Sequence, residues 1–236
     1  MRRRARGSTE PPSSGESRPE LDARVILEPA TPHGAARAHL WLVESAVGGL
    51  VLGHGAGASI ETPDLAAAAR AAGSVGFSVA LVEQPYRVAG RRTQPPAAQL
   101  DASWLAVIAA LRDGSLRDVP VVAGGRSAGA RVACRTAGAV GAVAVVCLAF
   151  PLHPPGRGGD PSKSRLGELE AVRLPVLVVQ GERDPFGTPP EGPRRKVVRV
   201  PGTHALRSTA AIETAVAEWL PKAIAHERPT SARPWR

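Results

Sequence analysis

The chain has 236 residues, of which 43% are hydrophobic and 22% are charged. These values are ordinary for a globular protein, so they exclude wholesale disorder, a collagen-like repeat and a coiled coil, and the length suits one domain with tails. The formal net charge of +9 suggests an acidic partner, whereas an aromatic content of only 3% disfavours recognition by stacking on nucleic-acid bases.

The two ends of the chain differ in composition from its middle. Residues 1–22 and 222–236 are rich in Pro, Ser, Arg and Glu and show no hydrophobic periodicity, so we predict flexible tails around one domain at residues 23–221. Residues 1–24 and 221–236 together carry +5 of the net charge of +9, which disfavours a nucleic-acid partner for the domain. The basic opening lacks the apolar segment of a secretory signal, and the longest apolar run, 142–150, is too short to span a bilayer. We therefore expect a soluble cytoplasmic protein with no membrane partner.

In chain order, short strand-like runs alternate with helical stretches. Strands are predicted at 25–28, 38–44, 49–53, 77–83, 119–123, 142–150, 176–180 and 196–200. Helices are predicted at 63–72, 96–112, 127–137, 165–172 and 209–220. This alternation predicts an α/β fold with a mostly parallel sheet and helices on both faces, preceded by an antiparallel hairpin. Since only a loose segment and a short helix follow the strand at 142–150, we expect a minimal cap domain or none.

The strongest local motif follows the predicted strand at 119–123. The run Gly125-Arg126-Ser127-Ala128-Gly129 fits the pattern G-x-S-x-G and leads into a predicted helix. In this context the pattern places a serine on a sharp, strained turn between a strand and a helix, where its hydroxyl is exposed for nucleophilic attack. The alternative is a Gly-rich turn without a chemical role. We predict that Ser127 is a catalytic nucleophile.

An activated serine needs a base and an acid that orients this base. Asp184 follows the predicted strand at 176–180, and His204 follows the one at 196–200, so both lie at carboxyl ends of parallel strands, where sites assemble in open sheets. The other candidates, Glu182 and Asp160 for the acid and His226, His33 and His39 for the base, are less well placed. We therefore predict a triad of Ser127, Asp184 and His204.

An oxyanion hole is the remaining part of such a site. One donor is expected to be the backbone N–H of Ala128, directly after the nucleophile, and the second to come from the loop after the strand at 49–53. In this loop we nominate the N–H of Ala56, with Gly55 as the neighbour that lets the backbone turn inward. The alternative is a generic Gly turn ahead of a helix.

Four further residues are candidates for the substrate pocket: His54, Tyr86, Arg126 and His153. Arg126 could hold a substrate anion through its planar guanidinium, or it could pair with an acid beneath the turn, which is the role we favour. His153 could line the pocket or pack as a loop residue. Tyr86 is the chain's only tyrosine and lies just after a predicted strand, which suits a pocket wall.

Five segments, HGAG, GGRSAGAR, FPLHPPG, VLVVQGERDPF and PGTHAL, resemble in this order the α/β-hydrolase superfamily. More narrowly, they are similar to its dienelactone-hydrolase-like proteins, a small group with a GGRS-x-G-x-R turn that includes a testis-expressed protein and a scaffold subunit of a histone-acetyltransferase complex. The similarity covers about residues 23–220. This resemblance implies an eight-stranded sheet and supports the Ser127–Asp184–His204 triad, but it also implies that some members are scaffolds.

These features predict a serine hydrolase that cleaves small ester or thioester substrates through an acyl-enzyme, with no metal or organic cofactor. The alternative is a non-catalytic binding or scaffold protein that keeps the α/β-hydrolase fold. A third hypothesis, nucleic-acid binding through the basic tails, is the least favoured.

Overall fold

The computed structural model describes residues 24–157 and 160–225, so the predicted tails lie outside it except for residues 222–225. The strands are β1 (Arg24–Leu27), β2 (Ala30–Thr31), β3 (Gly34–Ala35), β4 (Arg37–Trp41), β5 (Gly48–Gly53), β6 (Phe77–Glu83), β7 (Val121–Arg126), β8 (Ala144–Leu148), β9 (Val176–Gly181) and β10 (Arg195–Val200). The helices are α1 (Pro63–Ser74), α2 (Pro85–Val88), α3 (Ala97–Asp113), α4 (Ala128–Thr136), α5 (Leu166–Glu170) and α6 (Thr209–Ala225), with a 3-10 turn at Pro161–Lys163.

Eight of the strands form one twisted sheet in the order β1-β4-β6-β5-β7-β8-β9-β10. The pairs β1/β4 and β4/β6 are antiparallel, and all of the others in the sheet are parallel. This arrangement confirms the predicted eight-stranded, mostly parallel sheet and the hairpin at its start. The small ribbon of β2 and β3 lies outside the sheet, within the hairpin connection.

Helices cover both faces of the sheet because the central strands are apolar on both sides. Alternate strand residues face opposite ways, so Val51 and Cys147 pack under α3 and α4, whereas Leu50 and Leu52 pack under α1 and α6. The two buried clusters form the two core layers of an α/β/α sandwich. Every residue of β5, β8 and β9 is buried.

The last helix is longer than the sequence predicted. It continues through Pro221 to Ala225, so residues 222–225 belong to the domain and the predicted tail boundary at 222 was too early. Pro221 lies inside this helix, where a proline interrupts the hydrogen-bond ladder and costs stability. Burial of Ala223 and Ile224 against the sheet offsets this cost and keeps the helix intact.

The carboxyl ends of the parallel strands are open above the sheet. Between β8 and β9 the described residues form only the 3-10 turn at Pro161–Lys163 and the five-residue helix α5, so no cap domain covers this edge. Within the described residues no helix is both long and apolar enough to cross a membrane.

Candidate active site

Ser127 occupies the sharp turn between β7 and α4. Its backbone has φ 51° and ψ −107°, a conformation that non-glycine residues rarely adopt and that costs about 1–3 kcal/mol. The turn is possible because glycines flank it on both sides: a Cβ at Gly125 would lie 2.6 Å from the carbonyl oxygen of Gly53. The Ser127 N–H donates to the carbonyl of Leu148 at 2.9 Å, which ties the strained residue to β8.

The structure brings Ser127, His204 and Asp184 into one hydrogen-bonded row. His204 Nε2 lies 3.0 Å from Ser127 Oγ, and His204 Nδ1 lies 2.8 Å from Asp184 Oδ2. The Asp184 side chain is fully buried, and its second oxygen accepts the backbone N–H of Phe186 at 2.9 Å. The phenyl ring of Phe186 packs edge-on against the imidazole, with 4.4 Å between ring centroids. These contacts orient the imidazole between a hydroxyl and a carboxylate.

Gln180 is a site residue that the sequence analysis missed. Its side chain is fully buried at the end of β9, and its amide nitrogen lies 2.8 Å from Asp184 Oδ2, the same oxygen that faces His204. The same nitrogen lies 3.1 Å from the carbonyl of Phe150 and 2.9 Å from that of Gly187. Gln180 thereby joins the aspartate loop to the end of β8. A buried glutamine four residues before the aspartate was the one available sequence signal.

Arg126 is held beneath the turn rather than in an open pocket. Its Nε donates to Asp64 Oδ2 at 2.7 Å, and the Asp64 side chain is fully buried near the start of α1. Its Nη2 donates to the backbone carbonyl of His204 at 3.1 Å. This placement supports the structural role favoured for Arg126, and it identifies Asp64 as the acid that the sequence left unnamed.

The helix that follows the turn is anchored by two further arginines. Arg131 forms a two-pronged pair with Glu168 on α5, at 2.8 and 2.6 Å. Arg135 pairs in the same way with Asp101 on α3, and these carboxylates raise the pKa of Arg135 despite its partial burial. Helix α4 is thus fixed relative to its neighbours on both sides, which holds Ser127 at its start in place.

The loop at residues 54–57 lies beside the serine. A Cβ at Gly55 would lie 3.5 Å from Ser127 Cβ and 2.8 Å from the Arg126 guanidinium, so a larger residue there would require the guanidinium to shift. Ala56 follows in the exposed part of this loop. Ala128 is the first residue of α4, where a backbone N–H has no acceptor within the helix. The residues predicted as oxyanion donors therefore lie on the two segments that flank Ser127.

His54 and Tyr86 stabilise this loop from behind. The His54 ring is buried, and its Nδ1 lies 2.8 Å from the Gly55 carbonyl while its Nε2 accepts the N–H of Gln84 at 3.1 Å. Because these partners need one protonated and one bare nitrogen, the ring is neutral, and burial lowers its pKa. The Tyr86 hydroxyl accepts the N–H of Gly57 at 3.4 Å, and burial raises its pKa.

A narrow cavity of about 10 Å³ adjoins Ala128, with room for about one water molecule. His54, Tyr86 and Trp104 line it together with Leu100 and Val132. Two of the predicted pocket residues thus border a space next to the nucleophile turn, but this space is too small for a substrate group of more than one or two atoms.

His153 follows β8 and contacts the loop after β9. Its backbone N–H donates to the carbonyl of Phe186 at 2.9 Å, and a Cβ at Gly187 would lie 3.1 Å from its Nδ1. Its own carbonyl accepts from Arg165 at 3.3 Å. These contacts place His153 against the loop that carries Asp184 and Phe186, and they fit the packed-loop alternative.

The competing acids and bases are placed elsewhere. Glu182 is exposed, and the Asp160 side chain accepts the N–H of Ser162 in the 3-10 turn. His39 is buried on β4 beside Glu83, at 2.9 Å, and His33 is exposed in the hairpin connection. His226 lies outside the described residues.

Comparison with known proteins gives two kinds of match. A family model described as an α/β-hydrolase domain matches residues 46–207. None of the curated proteins matches the chain by sequence.

Solved structures share the fold at low sequence identity. An α/β serine hydrolase without a lid from Xanthomonas campestris is 20% identical, with a TM-score of 0.64, over 85% of this chain and 96% of its own. Dienelactone hydrolase from Anabaena variabilis is 19% identical, with a TM-score of 0.64, over 88% and 99%. Est1E from Butyrivibrio proteoclasticus is 16% identical, with a TM-score of 0.68, over 85% and 99%.

Proposed function

Because the chain belongs to the α/β-hydrolase domain family, we propose that it is a serine hydrolase that cleaves small ester or thioester substrates. The observation that carries this proposal is the position of His204, whose two ring nitrogens face Ser127 Oγ at 3.0 Å and Asp184 Oδ2 at 2.8 Å. A hydroxyl, an imidazole and a buried carboxylate in this order can move one proton away from the hydroxyl and back.

The reaction follows from this row of contacts. Ser127 Oγ attacks the substrate carbonyl carbon while His204 Nε2 takes the hydroxyl proton. Asp184 holds the Nδ1 proton and stabilises the imidazolium that forms. As the tetrahedral intermediate collapses, His204 gives the proton to the leaving alcohol or thiol, and the acyl group stays on Ser127. A water molecule, deprotonated by His204, then releases the acid and restores the serine.

The oxyanion of both tetrahedral intermediates would lie between the start of α4 and the loop at 54–57. The N–H of Ala128 and the N–H of Ala56 are the proposed donors, with Gly55 giving the loop its close approach to Ser127. Loss of one such donor typically costs about 3–4 kcal/mol of transition-state stabilisation. His54 and Tyr86 support the site by fixing this loop, at the Gly55 carbonyl and the Gly57 N–H.

Two features favour small substrates over long-chain lipids. No cap domain encloses the carboxyl ends of the described strands, so a long acyl chain would find no apolar tunnel above Ser127. The cavity beside Ala128 is about 10 Å³, which limits any group buried there to one or two atoms. The likeness to dienelactone hydrolase from Anabaena variabilis and to Est1E is consistent with this class of substrate. The predicted cytoplasmic location remains a prediction.

Labelling with a fluorophosphonate tests the nucleophile directly. We expect covalent modification of Ser127 in the wild type, found by mass spectrometry of the labelled peptide, and none in Ser127→Ala. Turnover of p-nitrophenyl acetate and of a short acyl thioester should fall by about 10⁴-fold or more in Ser127→Ala. Ser74→Ala, at the end of α1, is the matched control and should keep both labelling and turnover.

Absence of both labelling and turnover would favour the alternative of a non-catalytic binding or scaffold protein. If Ser127 is not labelled and no short ester or thioester is cleaved between about pH 6 and 9, the chain is not a hydrolase of this class.

A further inference from the structure

A long groove lies at the end of the sheet opposite to Ser127. It has a volume of about 650 Å³ and is formed where Leu174 and Pro175 lead into β9 and where Arg194 leads into β10. Asp184 and His204 follow the other ends of these two strands, so the six residues of each strand, about 20 Å, separate the groove from the triad. The groove is therefore not a part of the hydrolase site.

Five cationic side chains from three parts of the chain line this groove: Arg173, Arg194, Arg195, Lys196 and Lys222. We call it the basic groove. Glu191 is its one carboxylate. Among the described residues, none of these five cations forms an ion pair with an acid, whereas Arg126, Arg131 and Arg135 all do. Five like charges gathered in one groove with a single carboxylate among them favour a bound anion, because its arrival reduces their mutual repulsion.

The basic groove also has an apolar floor and a fixed rim. Trp219 and Ala223 of α6 line it together with Leu174 and Pro175. Its rim at residues 192–195 is closed by a pair of backbone hydrogen bonds between Gly192 and Arg195, at 3.1 and 3.0 Å, and Arg195 Nε donates to the Pro190 carbonyl at 2.7 Å. The rim is thus shaped before any ligand arrives.

The groove does not end at this rim. A second cavity of about 420 Å³ shares six lining residues with it, from Arg173 and from 191–195, and continues past them to Leu169 and Glu170 of α5. A compact anion such as one phosphate would fill only a small part of this length. An extended chain could follow the whole groove.

We propose that the basic groove binds an extended acidic peptide segment of a partner protein, whose Asp or Glu side chains meet the rim cations while its apolar side chains cover the half-buried Leu174 and Pro175. Guanidinium groups match carboxylates in a two-pronged geometry, and three of the five cations are arginines. Among the described strands, β10 pairs only with β9, so beyond Arg195, whose backbone N–H and carbonyl bond Gly192, its outer edge has no strand partner.

A nucleic acid fits these features less well. Single strands are gripped by stacking of bases on exposed aromatic rings, and the aromatic residue of the groove, Trp219, is only 9% exposed.

Fluorescence anisotropy with a labelled ten-residue peptide of alternating Glu and Leu tests the proposal. We expect binding at about 50 mM salt that weakens as the salt rises. The same peptide with Gln in place of Glu should not bind. The double variant Arg173→Gln with Lys222→Gln removes one cation from each of two chain segments that line the groove and should weaken binding about tenfold or more.

The control is Arg92→Gln with Lys163→Gln, which removes the same charge at two exposed positions away from the groove and should leave the affinity unchanged. Ser127→Ala should also bind normally, because the triad takes no part. Equal weakening in both double variants would reduce the effect to net charge and overturn the proposal. Binding of the Gln peptide, or tighter binding of a ten-nucleotide single strand than of the Glu peptide, would overturn it as well. An unchanged far-ultraviolet circular dichroism spectrum reports that each variant is folded.

Discussion

The two ends of the sheet differ in whether their cationic side chains are buried and paired with acids. At the carboxyl ends, Arg126 is mostly buried and lies 2.7 Å from the fully buried carboxylate of Asp64. At the amino ends, Arg194 and Lys196 are exposed in the basic groove and, among the described residues, pair with no acid. Arg126 is thus largely removed from solvent and paired with a carboxylate of the same chain. Arg194 and Lys196 keep their charge available to solvent.

This difference fits the two roles that we propose: the site at Ser127 needs a fixed geometry, whereas the basic groove needs cations that are free to bind a ligand. A nucleophile turn needs each group fixed to within a fraction of an ångström, and a matched buried ion pair supplies directional bonds that do not rearrange. Unmatched surface cations specify a charge and a shape but little geometry, which suits an extended partner more than a reaction.

Removal of the buried carboxylate should have the largest effect on stability. In Asp64→Asn the Arg126 guanidinium stays buried without a counter-charge, so we expect the free energy of unfolding in urea to fall by about 3 kcal/mol or more. Esterase turnover should fall as well, because Arg126 also holds the His204 carbonyl.

Arg70→Gln is the matched control on the same helix. Arg70 pairs with Glu213 at the surface, with side chains 54% and 39% exposed. Its loss should cost less than about 1 kcal/mol and leave turnover unchanged. Equal losses in the two variants would mean that the buried pair has no special role and would remove the contrast between the two ends.

The next largest effect is expected at Gln180, which donates to the Asp184 carboxylate that faces His204. Gln180→Met keeps the length of the side chain but removes the donor to Asp184 Oδ2, so the carboxylate is free to turn away from His204. We expect kcat to fall about tenfold or more with KM little changed, measured on p-nitrophenyl acetate. A rise in KM at constant kcat would place Gln180 in substrate binding and contradict the positioning role.

These residues also mark the limit of sequence reasoning. The order of the main elements and the mostly parallel sheet were predicted correctly, because hydrophobic periodicity reports which faces are buried, and the count of eight strands was implied by the family resemblance. Ser127, Asp184 and His204 were nominated because each follows a predicted strand, and parallel strands bring their carboxyl ends to one edge. Asp64 was missed as the partner of Arg126 because it lies 62 residues away on a helix, and no local pattern encodes such a contact.

The predicted pocket residues also show that sequence does not reveal which groups a side chain contacts. Tyr86 was assigned to a pocket from its position after a strand, and His54 was a further pocket candidate. The sequence could not show that the His54 ring contacts the Gly55 carbonyl and that the Tyr86 hydroxyl contacts the Gly57 N–H. The end of α6 was misjudged at Pro221 because the gain from burying Ile224 depends on the sheet beneath it.

The neutral, buried ring of His54 should make the free energy of unfolding depend on pH. Burial lowers its pKa from the usual 6.5. Below about pH 6.5 the imidazole is therefore protonated in the unfolded chain before it is protonated in the folded one. The free energy of unfolding should therefore fall as the pH drops through this range, by up to about 1.4 kcal/mol per pH unit. Urea unfolding between pH 7.5 and 5 should show a shallower slope in His54→Asn. His33→Asn, at an exposed position, should keep the slope of the wild type.

The smallest effect, and one of opposite sign, is expected at the amino ends of the strands. Since Arg194 lies close to other cations and pairs with no acid among the described residues, Arg194→Gln should relieve repulsion and raise the free energy of unfolding by about 0.3 kcal/mol at low salt. The gain should vanish in about 0.5 M NaCl, where such charges are screened. Circular dichroism melts at the two salt concentrations measure this difference, with Arg92→Gln as the control. A loss of stability in Arg194→Gln would show that this arginine has a partner within the chain, and the two ends of the sheet would then no longer differ in how they hold charge.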